Sequence, residues 1–536
     1  MNQECSYKIL HVVLNLLNYH EDHSKCSEVK IRIKKTGVIK IFIDIFLIYL
    51  WICNIFTKKH IINKKVIFFK FIAGISILVF ESETESESVN PINDNYKLIN
   101  DEIFDTVVVG SGPGGSLAAL KMIENKENVL LIEAGQNFKP NSISHHSFKQ
   151  TKYQFSNEGM SFCYSNMPMA FAEGATYGGG SEVNSGLYFK LTSPYKEKFL
   201  SLSNIDEGEW HNKENTIEDI LSVQKSPFLK KDNIKSALIN GSKKEGLFFS
   251  EVPRWRKYTP VEESQSMQVT YLKNATDLGL KILCETSVNK IIRNDKNISI
   301  QIQNKDGIHT INSKKVILAA GTIGTPKILK NSGFLKDKVS FNFHPMTRCV
   351  VDYGEPINDG DLFPPYVSWT NDYKHKFAYS VSTYPYIKAT LAATGYFNKD
   401  INVGNYACYF SSTILEKSRG RLFFIRGKGY PMIYIRKDDR KKIKEGFIIL
   451  KKILKSGGVK KIWPESNSSP MTSVHIFGSL PLNINRDIGK NGELSIDKRI
   501  KICDASLLPM APWGNPQAVI MVLNEILMER WLKSIE

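Results

Sequence analysis

One stretch, residues 104–135, constrains the fold of this chain more than any other: FDTVVVGSGPGGSLAALKMIENKENVLLIEAG. Its β-branched run TVVV predicts a short buried strand of a parallel sheet. Gly110, Gly112 and Gly115 then supply the pattern G-x-G-x-x-G, and the apolar segment that follows predicts a helix. Such a turn brings the free backbone N–H groups of a helix N-terminus close to the phosphates of a dinucleotide.

A second apolar strand, VLLI, ends at Glu133. A carboxylate about 20 residues after the glycines is expected to accept hydrogen bonds from a ribose. Strand, glycines, helix, strand and acid therefore occur in register and predict a dinucleotide site. The alternative is a glycine-rich turn that binds nothing.

The length and the net charge of the chain limit the number of structural units and the kinds of partner to be expected. The 536 residues exceed one ordinary core, so two or three structural units are expected. The net charge of +17 raises nucleic acid or an anionic membrane as partners. However, residues 440–455 (RKKIKEGFIILKKILK) are amphipathic at helical spacing, so their lysines form a solvated face. No nucleic-acid reader module is visible, and the eight isolated cysteines predict neither a metal site nor a disulfide framework.

The N-terminal region carries two apolar runs, residues 41–56 and 66–80, on either side of a lysine-rich loop. Each run is shorter than the roughly 20 residues that cross a bilayer, and both lie too far from Met1 for a secretory signal. The lysines could bind anionic lipid headgroups. Residues 38–80 are therefore expected either to contact a membrane surface or to pack as helices or strands against the rest of the protein. Localisation stays open between cytoplasm and membrane. Residues 81–87 (ESETESE) predict an exposed linker.

Three later segments carry further signals. Three successive glycines, Gly178 to Gly180, predict backbone that passes close to a flat or charged group. Residues 315–321 (KVILAAG) predict a buried strand that ends in a glycine turn, with a helix beginning at Thr325-Pro326. Residues 350–434 are rich in Tyr and Phe and have apolar residues at alternating positions, which predicts the antiparallel sheet of a second domain.

The last long helix is predicted over residues 517–531. Asn515 is expected to be its N-cap and Pro516 its first residue, because proline is favoured at that position.

Taken in order, four motifs resemble those of the glucose-methanol-choline (GMC) family of flavin-dependent oxidoreductases. They are GSGPGG with Glu133, GGGSEVN, AAGTIGTPKILKNSG, and the pair His475 and Asn515 around DASLLP. The resemblance covers residues 104–531. It implies an α/β fold with a discontinuous Rossmann-like FAD-binding domain and an antiparallel-sheet substrate domain of α+β type, with an extra N-terminal segment outside both.

The resemblance implies a division of the chain into segments. These are residues 1–80 as an apolar and basic extension, 81–100 as an acidic linker, 101–190, 266–345 and 471–536 as the three parts of the FAD-binding domain, and 191–265 and 346–470 as the two parts of the substrate domain.

The resemblance also implies FAD as the cofactor. Its binding would be non-covalent, because Val183 stands where some members attach flavin through a histidine. The expected cofactor contacts are Gly110, Gly112 and Gly115 at the pyrophosphate, Glu133 at the adenosine ribose, Gly179, Ser181 and Asn184 along the isoalloxazine, Val288 at the adenine, Asp504 near the ribityl or phosphate end, and Gly321, Asn515 and Pro516 elsewhere along the flavin.

His475 would be the catalytic acid/base and Asn515 the group that orients the substrate oxygen. Oxidation of an alcohol (CH–OH) by hydride transfer needs a group that takes the hydroxyl proton, and neutral imidazole suits that task. His344, in FNFHP, is expected to be structural. The His plus Asn-Pro combination looks most like the sterol-oxidase and choline-oxidase branches.

Alternatives to an alcohol oxidase or dehydrogenase are a flavin-dependent lyase or decarboxylase of the same fold and a non-catalytic membrane-associated flavin-binding protein. A second G-x-G-x-x-G is missing from the sequence, so electrons are expected to enter from the organic substrate rather than from a nicotinamide. Oxygen, a quinone and a cytochrome stay open as acceptors.

Overall fold

The computed structural model of the chain describes residues 89–99, 101–159, 161–165, 169–227, 233–335, 338–357, 366–380, 387–388, 390–391, 401–425, 427–467, 469 and 471–535. The predicted extension of residues 1–80, with its candidate membrane surface at 38–80, and the acidic run 81–87 lie outside the described residues. Among the residues described, no helix has the length and apolar character needed to cross a bilayer.

The strands are, in chain order, β1 (Ile103–Val109), β2 (Val129–Ile132), β3 (Ser161–Ser165), β4 (Met169–Phe171), β5 (Val223–Gln224), β6 (Phe248–Glu251), β7 (Arg254–Lys257), β8 (Glu263–Ser264), β9 (Lys281–Leu283), β10 (Ser287–Arg293), β11 (Ile298–Asn304), β12 (Gly307–Leu318), β13 (Val339–Phe343), β14 (Met346–Asp352), β15 (Tyr366–Trp369), β16 (His375–Ser380), β17 (Tyr406–Thr413), β18 (Gly420–Ile425), β19 (Lys428–Ile433), β20 (Lys461–Trp463), β21 (Met471–Ser473), β22 (Ile476–Phe477), β23 (Glu493–Leu494) and β24 (Asp497–Ile502).

The α-helices are α1 (Pro113–Glu124), α2 (Phe148–Gln154), α3 (Lys196–Ser203), α4 (Glu207–Ile220), α5 (Asn233–Lys244), α6 (Tyr271–Asp277), α7 (Gly321–Asn331), α8 (Lys437–Ser456) and α9 (Gln517–Ile535). Short 3₁₀ helices span Ser156–Gly159, Gly179–Glu182, Val403–Asn405 and Ala505–Leu507.

The first sheet is built around five parallel strands in the order β9-β2-β1-β12-β24. Strands β1 and β2 are apolar and buried along most of their length, as expected for a parallel sheet covered on both faces. The first half of β12 leaves the parallel region and pairs antiparallel with β11, which pairs with β10. Residues 89–99 run beside β9, where the Tyr96 backbone N–H donates to the carbonyl of Ile282 at 2.8 Å.

The second sheet is larger and mainly antiparallel, in the order β22-β13-β18-β19-β3-β4-β21-β14-β17-β16-β15-β6, with β20 beside β14. Helices α5 and α8 pack together on one face of it, where Leu238 and Phe447 join Phe377 and Tyr409 in one core. Strands β5, β7 and β8 form a small third sheet. The chain is therefore mixed α/β, as predicted, whereas its division into domains remains a prediction.

One predicted helix start and one predicted cap are wrong. Helix α7 begins at Gly321, so Pro326 is inside the helix and not in a first turn that begins at Thr325. Helix α9 begins at Gln517, and the carbonyl of Pro516 accepts its first helical bond from Ile520 N at 2.8 Å. Pro516 therefore occupies the cap position, and Asn515 lies one residue before it.

Candidate active site

A cavity of about 690 Å³ lies between the two large sheets. The loop between β1 and α1 lines one region of it, and the segments around β16, β22 and the start of α9 line another. The cavity therefore joins the predicted dinucleotide loop to His475 and Asn515, which are far apart in the sequence.

The three motif glycines differ in what requires them. Gly110 has φ +99°, and a Cβ there would collide with the carbonyl oxygen of Ala319; a Cβ on Gly115 would collide with the carbonyl oxygen of Gly110. A Cβ on Gly112, by contrast, would meet no protein atom within 4 Å. Packing explains Gly110 and Gly115, but it leaves open space beside Gly112. This is the position at which backbone would approach a pyrophosphate.

The glycine run at residues 178–180 packs directly on that loop. Gly178 N–H donates to Ser111 Oγ at 2.9 Å, and a Cβ on Gly179 would lie 2.6 Å from the Cα of Gly112. Gly179 has φ +60° and lines the cavity. The meeting of two backbones therefore explains Gly179, whereas a Cβ on Gly180 would meet no protein atom within 4 Å. The position of the run along an isoalloxazine stays a prediction.

Ser181 lies away from the cavity, whereas Asn184 lines it. Ser181 is buried away from the cavity, with its hydroxyl donating to the Gly178 carbonyl at 2.7 Å and accepting from Met267 N at 3.0 Å. Asn184 does line the cavity, and its Nδ2 donates to Gln517 Oε1 at 2.7 Å in the first turn of α9.

Glu133 lies at the end of β2 and closes the dinucleotide loop from below. Its Oε2 accepts bonds from the backbone N–H of Ser111 at 2.9 Å and from Ser111 Oγ at 2.6 Å, and its Oε1 accepts from Gly135 N at 2.8 Å. The carboxylate therefore shapes the loop itself, and it also lines the cavity where the predicted ribose contact would form.

Asp504 holds the start of α7 against the cavity. Its Oδ2 accepts from Gly321 N at 2.9 Å and Thr325 Oγ1 at 2.5 Å, and its Oδ1 accepts from Ser506 N at 2.7 Å. Burial raises the pKa of Asp504 despite these bonds. Gly321 and Asp504 line the cavity, as do Val288 and Pro516, and their contacts with a cofactor stay predictions.

His475 lies between β21 and β22 and reaches the cavity from the second sheet. Its backbone is fixed on both sides: the carbonyl accepts from Ser473 Oγ at 2.8 Å and from His344 N at 3.1 Å. The Nδ1 atoms of His475 and His344 are 3.3 Å apart. Burial, His344 and the cation of Lys376 hold the pKa of His475 well below its ordinary value, so the imidazole is neutral near pH 7.

Asn515 faces the same part of the cavity. Its Oδ1 accepts a bond of 3.4 Å from Lys376 Nζ. An ammonium can only donate, so the amide atom that faces it must be the oxygen. The amide N–H₂ of Asn515 is thereby left for another partner.

Two cavity residues, and one residue buried behind the cavity wall, were missed or undervalued in the sequence. Lys376 stands at an inward position of β16 in the segment whose alternation predicts a sheet, which is the one signal that could have found it. Glu173 lines the cavity, and burial together with Asp504 raises its pKa to about 7. His344, expected to be structural, is buried against His475, and burial and Lys376 lower its pKa to about 3.

The residues present suit FAD. The free N-terminus of α1 has no side-chain cap, the space beside Gly112 is open, and the same cavity continues to a neutral imidazole and an amide. The described residues include no group of three or more His, Cys, Asp or Glu side chains that could hold a metal ion.

Comparisons with known proteins agree with this geometry. Residues 151–347 match the GMC oxidoreductase family model. The chain is 24% identical over 473 residues to the uncharacterized GMC-type oxidoreductase y4nJ of Sinorhizobium fredii, covering 78% of this chain and 92% of that protein.

Two further relatives are matched over part of their length. The long-chain-alcohol oxidase FAO1 of Arabidopsis thaliana is 26% identical over 281 residues, covering 47% of this chain and 36% of the oxidase. The oxygen-dependent choline dehydrogenase of Staphylococcus saprophyticus is 23% identical over 272 residues, covering 43% of this chain and 48% of the dehydrogenase. The chain thus spans less than half the length of either protein.

The fold is similar to the crystal structure of pyridoxine 4-oxidase from Mesorbium loti, with a TM-score of 0.65 and 14% identity over 80% of this chain and 99% of that chain. With the four motifs and the family model, these similarities point to one family. The chain is similar to the GMC oxidoreductases in its sequence and in its fold.

Proposed function

We propose that this protein is an FAD-dependent oxidoreductase that oxidises an alcohol at its CH–OH group, with His475 as the catalytic acid/base. The observation that carries the proposal is the single cavity that contains the dinucleotide loop, His475 and Asn515. The match to the GMC oxidoreductase family model supports an oxidoreductase, and relatives named for long-chain alcohols and choline support an alcohol as the substrate.

The FAD would be held by the N-terminus of α1 and the open backbone of Gly112 at its pyrophosphate, and by Glu133 and Val288 at its adenosine. When bound, FAD would accept the hydride that leaves the carbinol carbon. The amides at the start of α7, fixed by Asp504, and those before α9 line the remainder of the cavity.

His475 would take the hydroxyl proton. Because its pKa lies well below the ordinary value, the ring offers a lone pair rather than a charge near neutral pH. As the C–H bond breaks, the O–H proton moves to the imidazole, and the product is the aldehyde or ketone. A positioned base of this kind typically contributes about 10²- to 10⁴-fold to the rate.

Asn515 would hold the alcohol oxygen from the other side. With its Oδ1 turned to Lys376, its amide N–H₂ is free to donate to that oxygen. A donor there stabilises the negative charge that develops as the proton leaves, and it cannot compete with His475 for the proton. Among the acceptors left open, the oxidase and oxygen-dependent relatives favour oxygen for reoxidation.

The test is anaerobic reduction of the purified holoprotein by a panel of alcohols, followed by flavin absorbance. We expect a yellow protein that bleaches with an alcohol, and a His475→Ala variant that keeps its flavin spectrum but bleaches about 10²- to 10⁴-fold more slowly. His309→Ala, at an exposed position of β12, is the matched control. A near-normal rate in His475→Ala would refute the assignment of His475.

A further inference from the structure

Lys376 is a buried cation at the wall of the candidate active site. It is 7% exposed and extends from β16 on the face of the second sheet opposite Phe377, which packs under α5 and α8. Its Nζ lies 4.3 Å from the ring centroid of Phe189 and 5.6 Å from that of Trp513. The aromatic faces attract the ammonium but accept no conventional hydrogen bond from it.

The ammonium has more donors than the protein uses. The 3.4 Å bond to Asn515 Oδ1 is its single hydrogen bond among the residues that the structure describes, and no carboxylate in that part of the chain forms an ion pair with it. An ammonium carries three N–H donors, and burying it without an anionic or strong acceptor partner is costly. The cost falls if a ligand in the cavity supplies oxygen acceptors.

The distribution of charge along the cavity wall indicates which region of the cavity would bind such a ligand. Among the described residues, three acidic side chains line the cavity. Glu133 bonds to Ser111 and Asp504 bonds to the start of α7, and burial together with Asp504 raises the pKa of Glu173 to about 7. Beside Lys376 the wall instead carries His475, with His344 buried against it, and both imidazoles are neutral near pH 7. The region beside the proposed catalytic pair is therefore positively charged.

We propose that Lys376 is a specificity-determining residue that selects alcohols bearing an oxyanion, a carboxylate or a phosphate, over cationic alcohols of the choline type. The inference rests on the proposed function, because it concerns the substrate of the same site. The oxyanion accepts hydrogen bonds from Nζ, while Phe189 and Trp513 flank the ammonium. An ammonium group in the same position would meet a like charge.

Burial alone lowers the pKa of Lys376 to about 7, so the lysine is largely charged at pH 6. His344 and His475, which face it, have pKa values lowered by burial and by Lys376 itself. Charge selection is therefore best measured at pH 6, where the lysine is an ammonium.

The first experiment compares three alcohols of equal chain length with the holoenzyme at pH 6: hexanol, ω-hydroxyhexanoate and ω-aminohexanol. The loss of a hydrogen bond to a charged group lowers an affinity by about 10- to 100-fold. The kcat/KM for the hydroxyhexanoate should therefore exceed that for the aminohexanol by at least this factor. Lys376→Met should abolish the preference, and Lys376→Arg should retain it. Lys374→Met is the matched control, since Lys374 is exposed and paired with Asp372.

A second measurement does not depend on turnover. The holoenzyme is titrated calorimetrically with hexanoate, hexyl phosphate and hexylammonium. At least one of the two anions should bind at least about tenfold more tightly than the cation. Lys376→Met should remove this difference while its flavin content and circular dichroism stay normal. The tighter anion identifies the group. Equal binding of all three, or an unchanged preference in Lys376→Met, overturns the inference. Selective anion binding without oxidation of any alcohol would uphold Lys376 and refute the proposed function.

Discussion

The imidazole rings of His344 and His475 stand edge to face at 89°, with their Nδ1 atoms 3.3 Å apart. One nitrogen of such a pair must donate and the other must accept. His475 Nε2 can accept a substrate proton only if Nδ1 carries the ring hydrogen, so in the competent tautomer His475 Nδ1–H donates to His344 Nδ1. In the proposed mechanism, His344 is therefore a positioning residue that acts through His475.

Replacing His344 should slow the reaction without removing the flavin. His344→Ala leaves His475 Nδ1 without its partner, and a hydrogen bond worth about 0.5–1.5 kcal/mol corresponds to roughly 2- to 13-fold in kcat. His344→Asn, whose Oδ1 can accept, should recover part of the loss. Stopped-flow flavin reduction measures the step, and His309→Ala serves as the control. A KM effect with unchanged kcat in His344→Ala would contradict this role.

The acid limb of the pH profile should lie below the ordinary histidine value. Burial, His344 and Lys376 lower the pKa of His475, and the neutral ring is the active form, so kcat/KM for a neutral alcohol should fall only as the pH drops through a value below 6.5. Removing the Lys376 cation should raise the pKa of His475 toward its ordinary value. In Lys376→Met the limb should move upward, toward pH 6.5.

The titration of Glu173 must be distinguished from that of His475 in the pH profile. It lines the same cavity, and burial and Asp504 raise its pKa to about 7, so its own titration would overlap the profile. The pH series is therefore best repeated in Glu173→Gln. If the limb of that variant lies at or above pH 6.5, the lowered pKa of His475 is refuted.

Local signals in the sequence predicted the dinucleotide half of the site, because its strand, turn and helix are consecutive. The contact between Lys376 and Asn515 had no such signal, since 139 positions separate them and the register of the second sheet brings them together. The same applies to His344 and His475, which are 131 positions apart. Asn515 was misplaced by one residue because an Asn-Pro pair suits both the cap and the position before it.

The loop glycines should separate folding from cofactor binding. Gly112→Ala meets no protein atom within 4 Å, so the apoprotein should lose no more than about 1 kcal/mol from the weaker cap, while FAD affinity should fall about tenfold or more because the methyl group occupies the space of the pyrophosphate. Gly110→Ala should destabilise the apoprotein itself, because of its φ of +99° and the collision with Ala319. Thermal melts of the apoproteins and FAD titrations by fluorescence quenching measure both. Unchanged FAD affinity in Gly112→Ala would place the pyrophosphate elsewhere.

Glu133 is expected to have two roles that one substitution can distinguish. Its two carboxylate oxygens accept from Ser111 N, Ser111 Oγ and Gly135 N, whereas a glutamine offers one oxygen and turns an N–H₂ group toward one of these donors. A buried donor left unpaired costs about 1–3 kcal/mol, so Glu133→Gln should lower the Tm of the apoprotein. The exposed Glu285, which accepts from Gln136, provides the control variant Glu285→Gln.

The ribose contact predicts a second effect in the same Glu133→Gln protein. FAD affinity, measured well below the melting temperature so that all of the protein is folded, should fall by roughly tenfold for the loss of a charge-assisted bond to a hydroxyl. A lower apoprotein Tm with unchanged FAD affinity would leave Glu133 as a loop-shaping residue and reject the ribose contact. An unchanged Tm would instead mean that the hydrogen bonds to Ser111 and Gly135 contribute nothing to the folded loop.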